Sequence, residues 1–373
     1  MRSNFQLLLL TCSIAIATNA QDVQPPSLNL GDSAPPLLIR YWLKDTPIQR
    51  FEKGHVYVLE FWATWCKPCI AAMPHLSTLA KEYRKQTTIL GIDVMEKKTT
   101  PIEKVKNFVD SMGMRMDYHV AAQDSNFMVA RWIEASGEQD NGIPTTFVVN
   151  SEGLLAWIGH PGDLDDVLQK IVNKTWDLQE FIAKRKEEKR LRKQDDSARL
   201  VLNDYVGDAN KHDYWGRPDS ALLVIKQIVT KEPKLKFTPF IASHTFAFLL
   251  KIDPHKAYEY GKIALVTPTY ENPPYGLIIG KIKWYSDKLN IPAEIFEICA
   301  EACQLQIDHL RYPELVDLSN NYHEMAGWYW RAKNKSKAID AEQKAIKELK
   351  KEKGFSKKDM NAFESQLQQY KNM

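Results

Sequence analysis

Cys66 and Cys69, separated only by Lys67 and Pro68, are the side chains of this chain best suited to chemistry. Two thiols three positions apart at a strand-to-helix junction can open and close a disulfide within one turn. The run Val56-Tyr57-Val58-Leu59 leads in as a strand, and Pro68 falls where an early helical position tolerates the missing N–H. Cys66 is then expected at a helix N-terminus, where unpaired N–H groups and the helix dipole favour a thiolate over a thiol. The thiolate is the attacking species in disulfide exchange, and Cys69, one turn inside, is placed to resolve the mixed disulfide. Lys67 adds positive charge beside the pair, or else projects into solvent with little effect. A thiolate zinc site would want two more Cys or His at related spacing, and none lies nearby. Redox chemistry is expected, with no metal and no cofactor.

The surrounding residues sharpen this reading. Trp65 precedes the first cysteine, Pro68 sits between the two, Pro74 follows five after the second, and Glu60 lies six before the first. Further on, Gly142-Ile143-Pro144-Thr145-Thr146-Phe147-Val148-Val149 precedes a turn at Asn150-Ser151-Glu152-Gly153. Together these residues resemble the thioredoxin superfamily, most closely its secreted TlpA/ResA-like branch, over about residues 28–173. The resemblance implies a thiol–disulfide oxidoreductase, more a reductase than an oxidase, with protein thiols and disulfides as substrates and an unidentified electron donor. It implies catalytic roles for Cys66, Cys69 and Glu60, and a substrate-binding surface at Trp65, Ile143 and a cis Pro144. Glu60 would be the buried acid that takes the proton of Cys69 through water. A carboxyl beneath an apolar sheet has a raised pKa, which suits proton transfer near neutrality. The plainer alternative is a strand acid facing solvent, with Leu59 and Phe61 on the other face. A thiol peroxidase is disfavoured, because that class wants Thr three residues before its cysteine and Ala63 stands there. The non-enzymatic alternative is an adaptor or chaperone-like module whose second half carries the main function.

The elements that must position the pair alternate. Strands are expected over residues 37–42, 56–59, 88–94, 118–122, 142–149 and 154–158. Helices are expected from Cys66 to about Tyr83, from a capping box at Thr100-Pro101-Ile102-Glu103, over residues 126–133 and over 163–174. Alternation of this kind implies an α/β sheet covered by helices, with the site at a strand-to-helix crossing.

At 373 residues the chain is long for one domain. Its 44% hydrophobic and 26% charged residues are those of a folded protein, and a net charge of +3 gives no support for a nucleic-acid partner. Residues 1–20 read as a signal peptide: Arg2, an apolar stretch from Leu7 to Ala17, and Thr18-Asn19-Ala20 before the cut. Cleavage after Ala20 is favoured over lipidation at Cys12, and the mature chain is expected to be periplasmic with no membrane span. Residues 21–175 are then the redox domain. Residues 176–197, with the charge run of 184–193, read as a solvated helical linker, and 198–373 as an all-helical domain. In that half Ala257/Ala264, Ala293/Ala300 and Ala338/Ala345 share a seven-residue spacing, echoed by Ala221/Ile228. Phe248, Trp284 and Tyr329 each precede a pair by nine residues, offsets similar to tetratricopeptide repeats. Cys299 and Cys303, four apart on one helix face, are expected to pack as small hydrophobes rather than form a second redox pair.

Overall fold

The computed structural model describes residues 27–123, 126–138, 142–206, 216–270, 272–351 and 356–372. The signal-peptide reading of residues 1–20 lies outside them. The first half is built on a six-stranded mixed sheet, in the order β1-β4-β3-β2-β5-β6. The strands are β1 (Tyr41–Lys44), β2 (Val56–Trp62), β3 (Thr87–Asp93), β4 (His119–Ala122), β5 (Thr145–Val149) and β6 (Leu155–Gly159). β2, β3 and β4 run parallel, while β1, β5 and β6 are antiparallel to their neighbours.

Helix α1 (Lys67–Glu82) and α3 (Leu164–Val172) cover one face, and α2 (Ile102–Met112) packs with them. The other face is covered by the 127–134 segment and the lead-in chain. β2 lies between β3 and β5 with helices or chain on both faces, which is why all seven of its residues are buried. Its even positions, Val56, Val58 and Trp62, join the α1 core, and its odd ones, Tyr57, Leu59 and Phe61, the opposite core. This is the helix-covered α/β sheet that the alternation implied, and the thioredoxin fold that the resemblance implied.

Three local expectations are corrected. The first strand pairs over Tyr41–Lys44 rather than 37–42; Leu37 and Ile39 instead pack, unpaired, against the lower core. The box at 100–103 does not form. Pro101, extended at φ −72 and ψ 148, is itself the N-cap of α2 and caps without a side-chain bond, so Glu103 falls one position short of reaching back. The helix expected at 126–133 is widened into π turns over Val129–Glu134, where the Ala135 N–H reaches back to the Ala130 carbonyl.

The second half is helical. Helix α4 (Leu178–Leu202) runs through residue 198 without a break. It is followed by α5 (Pro218–Lys231), α6 (Pro239–Ile252), α7 (Pro254–Ala264), α8 (Tyr275–Tyr285), α9 (Ala293–Asp308), α10 (Leu318–Arg331), α11 (Lys335–Leu349) and α12 (Lys357–Asn372). Ala221, Ala257, Ala264, Ala300, Ala338 and Ala345 are all fully buried, letting neighbouring helices approach closely. Phe248 and Tyr329 are buried as well, but Trp284 is 48% exposed. Helix α8 turns Ile278, Ile279, Ile282 and Tyr285 inward, which leaves position 284 on the outer face. Cys299 and Cys303 are free thiols in the helical core, and burial pushes the Cys299 thiol up. Among the described residues no helix is long and apolar enough to cross a membrane.

Helix α4 does more than link. Arg185 donates to the Ile158 carbonyl at 2.8 Å and pairs with the buried Glu138, so the helix is tied to the sheet. At its other end Asp195 is buried and accepts from Thr238 Oγ1, Tyr270 Oη and the backbone N–H groups of Phe240 and Ile241. It thereby caps α6 from another helix. The solvated-linker reading of residues 184–193 fits its outer face alone, because Leu191 is buried and Arg185 is engaged.

Candidate active site

Cys66 is the N-cap residue of α1, and its Sγ accepts the Cys69 N–H at 3.3 Å. The cap forms because Cys66 is extended (φ −81, ψ 94) and Pro68 follows in the first turn, where no N–H is missed. The two sulfurs are bonded, with Cα atoms 5.3 Å apart. Cys69 is fully buried and Cys66 is 3% exposed, so only the outer sulfur meets the surface. Trp65 projects from the same turn, 56% exposed, and its indole N–H donates to the Met95 carbonyl at 3.1 Å. Lys67 is exposed.

The Ile143–Pro144 peptide is cis, and the Ile143 carbonyl oxygen lies 3.7 Å from Cys66 Sγ. Pro144, Thr145, Gly159 and His160 line one side of a cleft of about 680 Å³, with Arg185 and Lys189 of α4 on the other. Cys66, Cys69, Ile143 and Pro144 are therefore brought together, with Trp65 at the rim.

Glu60 lies below. It is fully buried on the α1 face, and burial alone pushes its carboxyl up to about 8. The solvent-facing alternative for this side chain is excluded by that burial. Across the sheet it sits in a row with Gly91 on one side and Thr146, then Gly159, on the other. The two glycines make this row possible. A Cβ on Gly91 would meet Tyr118 at 3.0 Å, and one on Gly159 would meet the Trp157 ring at 2.3 Å. Among the described residues neither oxygen of Glu60 has a hydrogen-bond partner, nor do Thr146 Oγ1, Tyr118 Oη and Trp62 Nε1 around it.

Some residues of the site carry no sequence signal. Glu96 accepts from both the N–H and the hydroxyl of Thr64, each at 2.7 Å, and so fixes the turn that delivers Cys66. Asp93, at the end of β3, is buried, and burial with the nearby Glu96 pushes it up to about 8. Both acids sit about thirty residues beyond the cysteines, Asp93 closing β3 and Glu96 in the loop that follows, with no motif of their own. A scan for acidic residues just past a buried strand would have marked them.

With fold and site in hand, the likeness to known proteins has a physical content. Residues 31–158 match the model of the AhpC/TSA family. The chain is 32% identical to protein FixW of Rhizobium leguminosarum over 163 residues, covering 40% of this chain and 69% of that one. It is 31% identical to the thiol-disulfide oxidoreductase ResA of Bacillus subtilis, over 39% of this chain and 76% of that one. It is 27% identical to the thiol:disulfide interchange protein DsbE of Pasteurella multocida, over 46% and 86%. The chain belongs to the thioredoxin-fold AhpC/TSA family and, within it, to the thiol-disulfide oxidoreductases. Its active half is thus accounted for. Its helical half extends beyond these matches, none of which covers more than 46% of the chain.

Proposed function

We propose that this chain is a periplasmic thiol–disulfide oxidoreductase working as a reductase, with Cys66 as nucleophile, Cys69 as resolving thiol and Glu60 as proton acceptor. The observation that carries the reading is Cys66 at the cap of α1, receiving the Cys69 N–H, together with the fully buried Glu60 carboxyl on β2, which has no hydrogen-bond partner among the described residues. In the reduced enzyme the Cys66 thiolate attacks one sulfur of a partner's disulfide, forming a mixed disulfide and expelling the partner's other sulfur as thiolate. Cys69 then attacks Cys66 Sγ, giving its proton to Glu60, and the partner's second sulfur leaves. Two electrons pass to the partner, and an external dithiol restores the cysteines. Direction and location rest on the resemblance to secreted reductases and on the reading of residues 1–20 as a cleaved signal peptide.

The partner's strand is received at Trp65, Ile143 and Pro144, where the exposed indole and the cis peptide flank Cys66. Residues 21–175 form the catalytic unit. The helical residues 198–373, whose pairs resemble tetratricopeptide repeats, select the partner. The adaptor alternative is the weaker reading, because a binding module has no use for a capped, resolvable cysteine pair.

Dithiol-driven reduction of insulin disulfides tests this. Wild type is expected to turn over, Cys66→Ser to be inactive, and Cys69→Ser to accumulate a mixed disulfide visible on a non-reducing gel. Unchanged turnover in Cys66→Ser would sink the proposal.

A further inference from the structure

A second cavity, of about 500 Å³, opens where α4, α6 and α8 meet. Arg192, Asp195, Asp196 and Arg199 line it from α4, and Lys281 from α8. The helix period brings the α4 residues, three and four positions apart, onto one face. Both arginines rest on rings: the Arg192 guanidinium lies 5.2 Å from the centre of Tyr270, and that of Arg199 lies 5.4 Å from the centre of Phe240.

The cavity holds more positive charge than it neutralises. Its three cations face two carboxylates, and one of these, Asp195, is already engaged by four donors. Arg199 rests on a ring rather than pairing with a described carboxylate. Lys281 is half-buried, its pKa is lowered by burial, and no described acid pairs with it. An ammonium withdrawn from water without a counter-ion is costly. His244 of α6 adds no charge, because burial and then Lys281, with Arg199 behind it, lower its pKa to about 4. An excess of one positive charge suits a single carboxylate. A phosphate dianion would overfill the site and meet Asp195 and Asp196. Phe240 and the exposed Leu277 supply apolar surface for the carbon chain that carries such a carboxylate.

The cavity is continuous with the redox site, since Arg192 and Asp196 also line the cleft beside Pro144. Helix α4 runs unbroken past both. Arg185, which shares that cleft with His160, and Arg199 are about 21 Å apart along the helix. About six extended residues cover that span.

We propose that this cavity docks an Asp or Glu side chain of the protein partner, held by Arg199 and Lys281 while the partner's disulfide meets Cys66. The inference rests on the reading of the chain as a thiol–disulfide oxidoreductase and names its substrate class: a polypeptide with a carboxylate about six residues or more from its disulfide. The cavity contributes affinity and takes no part in the exchange itself.

The test uses two fluorescent peptides with amidated C-termini. Each carries a cysteine joined by a disulfide to 2-mercaptoethanol, a Gly/Ser spacer of about ten residues, and then Glu-Phe or Gln-Phe. Fluorescence anisotropy with the oxidised full chain measures binding without turnover. The Glu peptide is expected to bind about tenfold tighter than the Gln peptide. Lys281→Met and Arg199→Gln are each expected to lose most of that preference, and inorganic phosphate is not expected to displace the peptide. Equal affinities in wild type overturn the proposal, as does a preference that survives in both variants. Displacement by phosphate as readily as by N-acetylglutamate amide overturns the assignment to a carboxylate. Dithiol-driven reduction of the same peptides separates the two levels. If the Glu peptide binds selectively and neither is reduced, the oxidoreductase reading has failed and the docking site stands. If both are reduced and bind alike, only the docking site falls.

Discussion

Besides its proposed part in the chemistry, Glu60 carries a stability cost. Its carboxyl is pushed from the ordinary range up to about 8 in the folded chain, so folding favours the protonated form. That preference is fully present at acid pH and is lost as the pH rises from about 4.5 through 8, as the ionised group must sit in an apolar core. Glu60→Gln keeps the shape without the charge. It is expected to match wild type near pH 4 and to be more stable by a few kcal/mol, on the order of the pKa shift, near pH 9. Urea unfolding at the two pH values checks this, and equal differences at both would show that the carboxyl does not titrate where its burial implies. At this scale the sequence was informative wherever a residue acts through its neighbours in the chain. Cys66, Cys69, Pro68, Trp65 and Glu60 sit within ten positions of one another, and Pro144 stands in a recognisable strand. Glu96 acts through a contact about thirty positions back, to Thr64, and Tyr312 through one about a hundred and fifty back, to His160, and no spacing rule links either to the cysteines.

Elements obey the same division. β2 and β3 were readable because strands buried on both faces must be continuously apolar, and α1 because a cysteine cap and a proline mark its start. β1 was misplaced by four residues, since Leu37 and Ile39 are apolar for the sake of core packing rather than pairing. The long α4 was legible as a helix but not as a brace, because its value lies in single residues that reach other elements. Asp195 is the clearest of these, with four donors converging on its carboxylate from α6, its cap and the α7–α8 connection. Asp195→Ala would leave buried donors unpaired and remove the anion at the α6 N-terminus. It is expected to cost about 3 kcal/mol or more, read as a lowered midpoint of chemical unfolding with little change in Cys66 reactivity. A change under 0.5 kcal/mol would mean that the cap is not structural.

At the scale of the whole molecule, two fastenings among the described residues tie the helical half to the sheet. Arg185 and Lys189 of α4 hold Glu138 and the end of β6, and Arg311 with Tyr312 hold the turn that follows β6. More than a hundred residues of helical chain lie between these fastenings, and both meet the sheet beside the same strand. Two halves joined in this way are expected to melt together. Calorimetry of wild type should show one transition, and the pair Arg185→Ala with Arg311→Ala should split it into two. A single unsplit transition in that variant would show that other contacts carry the coupling.

The second fastening holds His160, which shares a cleft with Pro144, and its following turn packs on α1; thermodynamic reciprocity gives it a further meaning. If the contact at His160 differs between the open and closed cysteine pair, a protein that grips the helical half and strains or relieves that contact would alter the balance between them. The converse is then obligatory: that protein is held more or less tightly, by the same factor, according to whether Cys66 and Cys69 are joined. The two sulfurs would in that way announce their own oxidation state at a surface they never touch.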